Sequence, residues 1–223
     1  MVRPFHVQQE VMNAIRPMRR SDIARVAQLH AAAMGNSLWA TLGESFLRKI
    51  YISMLKSSHF LGFVYEESGT IEGFIAGSTD LSKMMSEIAK RDGFRLGLSA
   101  LWGLRKVRTL FRLLSTARYF TASQQEVAED ITAESMFCSF TPRTRGKKIS
   151  GHINKVLFDT LYFKGHQYVK ITTEIDNQGA NRQLKSWGFQ ERGTFTFYGK
   201  EMICYTLDLS ASTRVQKYNW STS

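Results

Sequence analysis

The spacing of apolar and polar residues along the chain changes period several times, and each change marks an element. Residues 13–18 predict a short strand broken at Pro17, and Ser21-Asp22 then cap a helix running to about Met34 with Ile23, Val26, Ala27 and His30 on one stripe. A second helical pattern covers 42–56, where Phe46 is followed by Ile50 and Leu47 by Met54 at helical spacings. Residues 59–66 and 70–78 read as two strands joined through Glu67-Ser68-Gly69, a turn with a glycine available for positive φ.

The segment 132–163 holds the densest signal. Residues 133–140 carry Met136, Cys138 and Phe140 at period two, the spacing of one strand face, and Pro142 ends the strand. The stretch 142–151 then combines two glycines with four basic side chains, Arg143, Arg145, Lys147 and Lys148. Ile149, Ile153, Val156, Leu157 and Leu161 follow at helical spacing and predict a buried stripe. A strand-to-helix turn of this kind leaves the first N–H groups of the helix without partners. It aims them, with the positive end of the helix dipole, at whatever occupies the turn. Gly146 has no β-carbon, so phosphate oxygens can approach its main chain, and the four cations add charge around them. The segment reads as a diphosphate cradle; the alternative is an ordinary loop with solvated basic side chains.

Downstream, 168–174 is a β-rich run and 177–189 a helix, with Asn177 as N-cap candidate and Gly188 where a left-handed C-cap residue is needed. Residues 194–198 and 202–207 predict a hairpin turning at Gly199-Lys200 that completes the sheet. The last stretch, 210–223, is polar and without periodicity, and is expected to be a tail of little fold content.

Between 81 and 125 the pattern becomes long and largely helical. No acidic residue occurs from Gly93 to Gln125, whereas Leu101, Leu104, Val107, Phe111 and Leu114 form an apolar stripe with Arg105, Arg108 and Arg112 on another face. Three readings stand: a surface helix packed on the sheet, a lid over an anionic substrate, or a membrane-surface helix.

With 223 residues, 43 % apolar and 22 % charged, the chain suits one domain at 1–210 carrying the helical insertion, followed by the polar tail at 211–223. The N-terminus is not an apolar run of signal type and no stretch is long and apolar enough to span a bilayer, so a cytoplasmic address is expected. Cys138 and Cys204 lie inside predicted strands and read as reduced core thiols, and no His is spaced with them to complete a metal site. The five histidines form no triad-like arrangement. A net charge of +11 favours an anionic partner. Since no helix-turn-helix, zinc-finger or RNA-recognition signature accompanies it, nucleic acid is the less specific choice.

The turn resembles the acyl-coenzyme A binding motif of the GNAT N-acetyltransferase superfamily. That pattern, Arg/Gln-x-x-Gly-x-Gly/Ala, falls on Arg145-Gly146-Lys147-Lys148-Ile149-Ser150, with Lys148 and Ser150 in place of its two glycines, so Gly146 is expected to supply the flexibility and Lys148 to contribute charge. The helix at 177–189 is similar to the family's Asn-x-x-Ala helix closing on Gly-Phe. Its usual Tyr, often the acid for the leaving thiolate, falls on Leu184. The resemblance implies an α/β fold with a mixed, mostly antiparallel sheet flanked by helices. It also implies acetyl-CoA as cosubstrate and transfer of an acetyl group to the primary amine of a small acceptor, for which the net charge favours an anionic one; no metal is expected. It puts Glu134 where a general base acts, with Glu72 and Asp80 as alternatives, and polarisation of the thioester carbonyl on a main-chain N–H near Phe140. The cofactor contacts it implies are Phe140, Arg145, Gly146, Lys147, Lys148, Ile149, Ser150 and Asn177. For the acid, Tyr198 and Tyr205 have phenols of suitable intrinsic pKa. The competing class is a basic binding module that kept this fold and lost catalysis, facing nucleic acid or a membrane surface; Lys148, Ser150 and Leu184 sustain it.

Overall fold

The computed structural model describes residues 5–33, 43–103, 128, 130–197 and 199–222. Among them seven strands form one open sheet: β1 (Ile15–Pro17), β2 (Phe60–Glu67), β3 (Thr70–Ser78), β4 (Glu134–Phe140), β5 (Tyr168–Glu174), β6 (Gln190–Phe197) and β7 (Lys200–Asp208). Their order is β1-β2-β3-β4-β5-β7-β6, antiparallel throughout except for the β4–β5 pair. The helices are α1 (Gln9–Asn13), α2 (Ile23–Ala33), α3 (Gly43–Met54), α4 (Leu81–Gly103), α5 (Ile149–Phe163) and α6 (Gln178–Trp187). The expected mixed, mostly antiparallel sheet flanked by helices is therefore what forms. β6 begins earlier than predicted, directly after Phe189, and the hairpin turns at Gly199 with φ +75°.

Two apolar layers hold the sheet. The stripes of α2 and α3, including Ile23, Val26, Ala27, Phe46, Leu47, Ile50 and Met54, bury against Val64, Phe74 and Ala76 on one face. On the other, Ile153, Val156, Leu157 and Leu161 of α5 meet Phe63, Ile75, Val169, Tyr205 and Leu207. A parallel pair needs a crossover, and α5 is that crossover between β4 and β5.

Helix α4 accounts for the first part of the insertion. The pattern at Arg105, Arg108 and Arg112 lies outside the described residues. No helix among the described residues is long and apolar enough to cross a membrane.

Three expectations are corrected. Met136, Cys138 and Phe140 do not share a face: the β3–β4 register passes from Ala76↔Phe137 to Gly77↔Ser135, so Met136 is an extra, bulged residue. Met136 packs with the α2 layer and Phe140 with the α5 layer. Cys138 is exposed and is no core thiol, whereas Cys204 is buried. The C-terminal stretch is also not a free tail. Asp159 of α5, fully buried and paired with Lys155 at 2.9 Å, accepts from the Gln216 N–H at 2.8 Å and from Trp220 Nε1 at 3.2 Å. Lys155 donates in turn to the Arg214 carbonyl at 2.8 Å. The tail thus covers the side of α5 that the predicted apolar stripe leaves bare, and the charges there are buried because they bind main chain.

Candidate active site

β4 and β5 are in register at only two positions, Glu134↔Lys170 and Ser135↔Ile171, and then separate. The separation begins at the Met136 bulge, where added twist turns β4 away from its neighbour. Thr141 N–H donates to the Glu72 carbonyl on β3 at 2.8 Å. By the alternation of an antiparallel ladder, the N–H groups of Phe140 and Cys138 face the other way, into the gap that β5 leaves.

Directly after β4 comes the basic turn. Pro142–Thr144 form one 3₁₀ turn, Gly146 adopts φ +81°, and Lys148 adopts φ 56° and ψ 19° before α5 starts at Ile149. Gly146 is therefore not the sole source of left-handed backbone: Lys148, at a glycine position of the motif, takes that conformation itself. Such a residue costs roughly 1–2 kcal/mol. His152 holds it. Gln8 N–H donates to His152 Nε2 at 2.9 Å, which leaves the proton on Nδ1 to donate to the Lys148 carbonyl at 2.9 Å. Burial keeps this imidazole below its usual pKa, in the neutral form that the two bonds require.

Among the described residues, none accepts from the N–H groups of Gly146, Lys148, Ile149 and Ser150. A β-carbon built on Gly146 would meet nothing within 4 Å, so the space beside this residue is open. Ile149 is a buried core side chain and can offer only its main chain. The charge around the turn is smaller than four free cations. Lys147 binds both carboxylate oxygens of Glu67 at 2.8 Å, and Arg143, 84 % exposed, lies 3.8 Å from Glu72. Lys147 holds the Glu67 carboxyl below its usual range. Arg145 and Lys148 make no ion pair among the described residues. Glu72 accepts from Thr141 Oγ1 at 2.5 Å, and Asp80 caps α4 by accepting from the Lys83 N–H at 2.9 Å. Both alternatives to Glu134 thus have structural bonds.

Glu134 is 4 % exposed, at the opposite end of β4 from the turn. Asn177 caps α6 by accepting from the Ala180 N–H at 3.2 Å, so its oxygen is engaged. Beside it, Asn181 donates to the carbonyls of Glu174 and Ile175, while its Oδ1 and Gln183 Nε2 are buried with no partner among the described residues. Leu184 is buried in the α5 layer. Tyr205 is wholly buried and donates to Glu191 at 3.2 Å, and burial raises its pKa. Tyr198 lies outside the described residues.

A second buried group lies under β4. His30, 1 % exposed on α2, meets the Tyr51 hydroxyl through Nδ1 at 2.7 Å and packs 4.6 Å from the Phe137 ring. Its Nε2 is buried with no partner among the described residues, and burial pulls its pKa down to about 4. Sequence reading placed His30 on the core stripe, but its pairing with Tyr51 has no local signal. Among the described residues, no three His, Cys, Asp or Glu side chains are grouped to hold a metal ion.

No protein-family model matches the chain, and no curated protein is similar to it in sequence. Solved structures are similar in fold. The polyamine N-acetyltransferase of Drosophila melanogaster, which catalyses formation of N-acetylagmatine, aligns at 14 % identity over 87 % of this chain and 98 % of its own, with a TM-score of 0.56. The Salmonella typhimurium protein yncA, solved with its cofactor acetyl-CoA, aligns at 13 % identity over 87 % and 92 %, with a TM-score of 0.55. An N-acetyltransferase from Staphylococcus aureus Mu50 gives 15 % identity, 87 % and 96 % coverage, and a TM-score of 0.54. A sheet parted beside its central strand, followed by a basic turn at a helix N-terminus, is thus carried by a chain with the fold of the GNAT N-acetyltransferases.

Proposed function

We propose that the protein is an acetyl-CoA-dependent N-acetyltransferase acting on the primary amine of a small, anionic acceptor. One observation carries the reading: β4 leaves β5 after two paired residues, and its edge leads straight into a turn in which the amides of Gly146, Lys148, Ile149 and Ser150 have no acceptor among the described residues. A diphosphate fits the amides of Gly146, Lys148, Ile149 and Ser150, with Arg145 and Lys148 as cations that have no ion-pair partner among the described residues. An extended chain with its own amides fits the gap, where the N–H groups of Cys138 and Phe140 face it.

Bound acetyl-CoA would supply an activated acetyl group and a thiol leaving group. Toward it, this chain's residues divide the work. The N–H groups along the open edge of β4 donate to the thioester carbonyl, polarising it. Glu134 takes the proton from the amine, directly or through a water. The parted strands hold amine and thioester together, which removes an entropic term of up to about 7–11 kcal/mol. With Leu184 where the family's tyrosine stands, Tyr198 is the candidate acid.

The test is transfer of radiolabelled acetyl from acetyl-CoA to a panel of short amines, run beside thermal denaturation with acetyl-CoA. Saturating cosubstrate at one hundred times its Kd should stabilise the protein by about 2.7 kcal/mol. Stabilisation with no transfer to any amine would favour the binding-module alternative, and neither effect would contradict both.

A further inference from the structure

Resting on the acetyltransferase reading, we propose that Lys170 of β5 and Arg192 of β6 form the subsite that binds the acceptor's anionic group, with the amine at Glu134. The registers make one row across the sheet: Glu134↔Lys170, Lys170↔Thr206 and Thr206↔Gln190. Strand alternation sets the face. Ala133, Val169, Ile171, Tyr205 and Leu207 all pack in the α5 layer, so Glu134, Lys170 and Thr206, each one position away, lie on the opposite face. That face is away from α5, whose first turn carries the phosphate cradle.

Arg192 joins the row from a bulge. The β6–β7 register shifts between Glu191 and Gly193, and Arg192 Nε donates to Thr206 Oγ1 at 2.9 Å. This bond fixes the guanidinium and leaves its two terminal nitrogens to act as a fork, the arrangement that takes carboxylate or phosphate with two parallel bonds. Neither Lys170 nor Arg192 has an ion-pair partner within 4.0 Å among the described residues. They are two unneutralised cations on a row that begins with a buried carboxylate. Burial pushes the thiol of Cys204, on the same face, up to about 11, and Lys170, Glu134 and Arg192 all lie near enough to act on it as well. Adjacent strands are about 4.8 Å apart, so the row sorts an acceptor by charge: the amine at Glu134, the anion one to two strand spacings away, roughly 5–10 Å. The substrate class is a short amine ending in a carboxylate or a phosphate. A diamine would set its second cation against Lys170 and Arg192.

The experiment is an amide-detected NMR titration of the wild-type protein with 6-aminohexanoate, with 3-aminopropyl phosphate and with the neutral 6-aminohexanamide, repeated on Lys170→Gln/Arg192→Gln. At least one anionic amine should shift residues 170, 192 and 206 saturably and bind about 10-fold or more tighter than the amide; the better of the two identifies carboxylate or phosphate. The double variant should abolish that preference while binding acetyl-CoA like the wild type, and Lys170→Arg should restore part of it. No saturable shift on this row with either anion, equal affinity for anion and amide, or a preference that survives the double variant would each overturn the subsite. Acetyl transfer to the same amines separates the two claims. Binding on the row with no transfer contradicts the acetyltransferase reading alone, and transfer with equal kcat/KM for acid and amide contradicts the subsite alone.

Discussion

The two ends of β4 are built on opposite plans. At the C-terminal end, from Phe140 to Ser150, the useful groups are main-chain amides, and side chains serve mainly to hold the backbone: Glu72 fixes Thr141, Glu67 occupies Lys147 and His152 ties down the Lys148 carbonyl. At the N-terminal end the groups proposed to meet the acceptor are the side chains of Glu134, Lys170 and Arg192, which the strand registers bring to one row. A main-chain site tolerates replacement provided that the dihedrals are kept, which is why Lys148 can stand where a glycine is usual. A side-chain site depends on chemical identity, and single substitutions there should act on turnover and leave cosubstrate binding alone.

The largest expected effect sharpens that contrast. Glu134→Gln should lower turnover by roughly two to four powers of ten with acetyl-CoA affinity nearly unchanged, measured by steady-state kinetics and calorimetry; unchanged turnover would make Glu134 a structural residue. Next comes His30, which supports β4 from beneath. Its folded pKa of about 4 lies below the value of about 6.5 in an unfolded chain, so the unfolded state binds the proton first. The contribution is complete above pH 6.5 and is lost as pH falls toward 4, up to about 3 kcal/mol. Urea unfolding of wild type and His30→Gln from pH 4 to 7.5 should therefore give a difference that shrinks with acidity, and a constant difference would refute it. The smallest effect is Lys148→Gly. Relief of the left-handed strain exceeds the added chain entropy only slightly, so stability should rise by up to about 1 kcal/mol in the same assay, and a loss would mean that the lysine side chain itself supports the turn.

These differences also explain what could be read from the sequence. The strand–turn–helix succession at 134–163 was legible because strand, proline, glycine and helix follow one another within a short local stretch, and the sheet was legible from its periods. The face of Cys138 was not, because a period-two pattern cannot register the extra residue at Met136. The docked tail was hidden by its polar composition; its anchor is Asp159, a buried acid whose partners are backbone and indole N–H groups distant in sequence. Lys170 and Arg192 were missed for the same reason, since a row across β4, β5 and β7 exists only once the registers are set. His152 shares this limit: its partner Gln8 belongs to the N-terminal segment, and nothing around either residue announces the bond.

The central claim is that acetyl-CoA is bound by the main chain of the turn and the open edge of β4. Calorimetric titration of acetyl-CoA into wild type, Gly146→Val and Lys147→Ala tests it most directly. At φ +81° a β-branched residue distorts the turn and fills the open space beside it, so affinity should fall about 10-fold or more, whereas Lys147, already engaged by Glu67, should matter little when truncated. Equal affinities for wild type and Gly146→Val, or a larger loss for Lys147→Ala, would contradict the account.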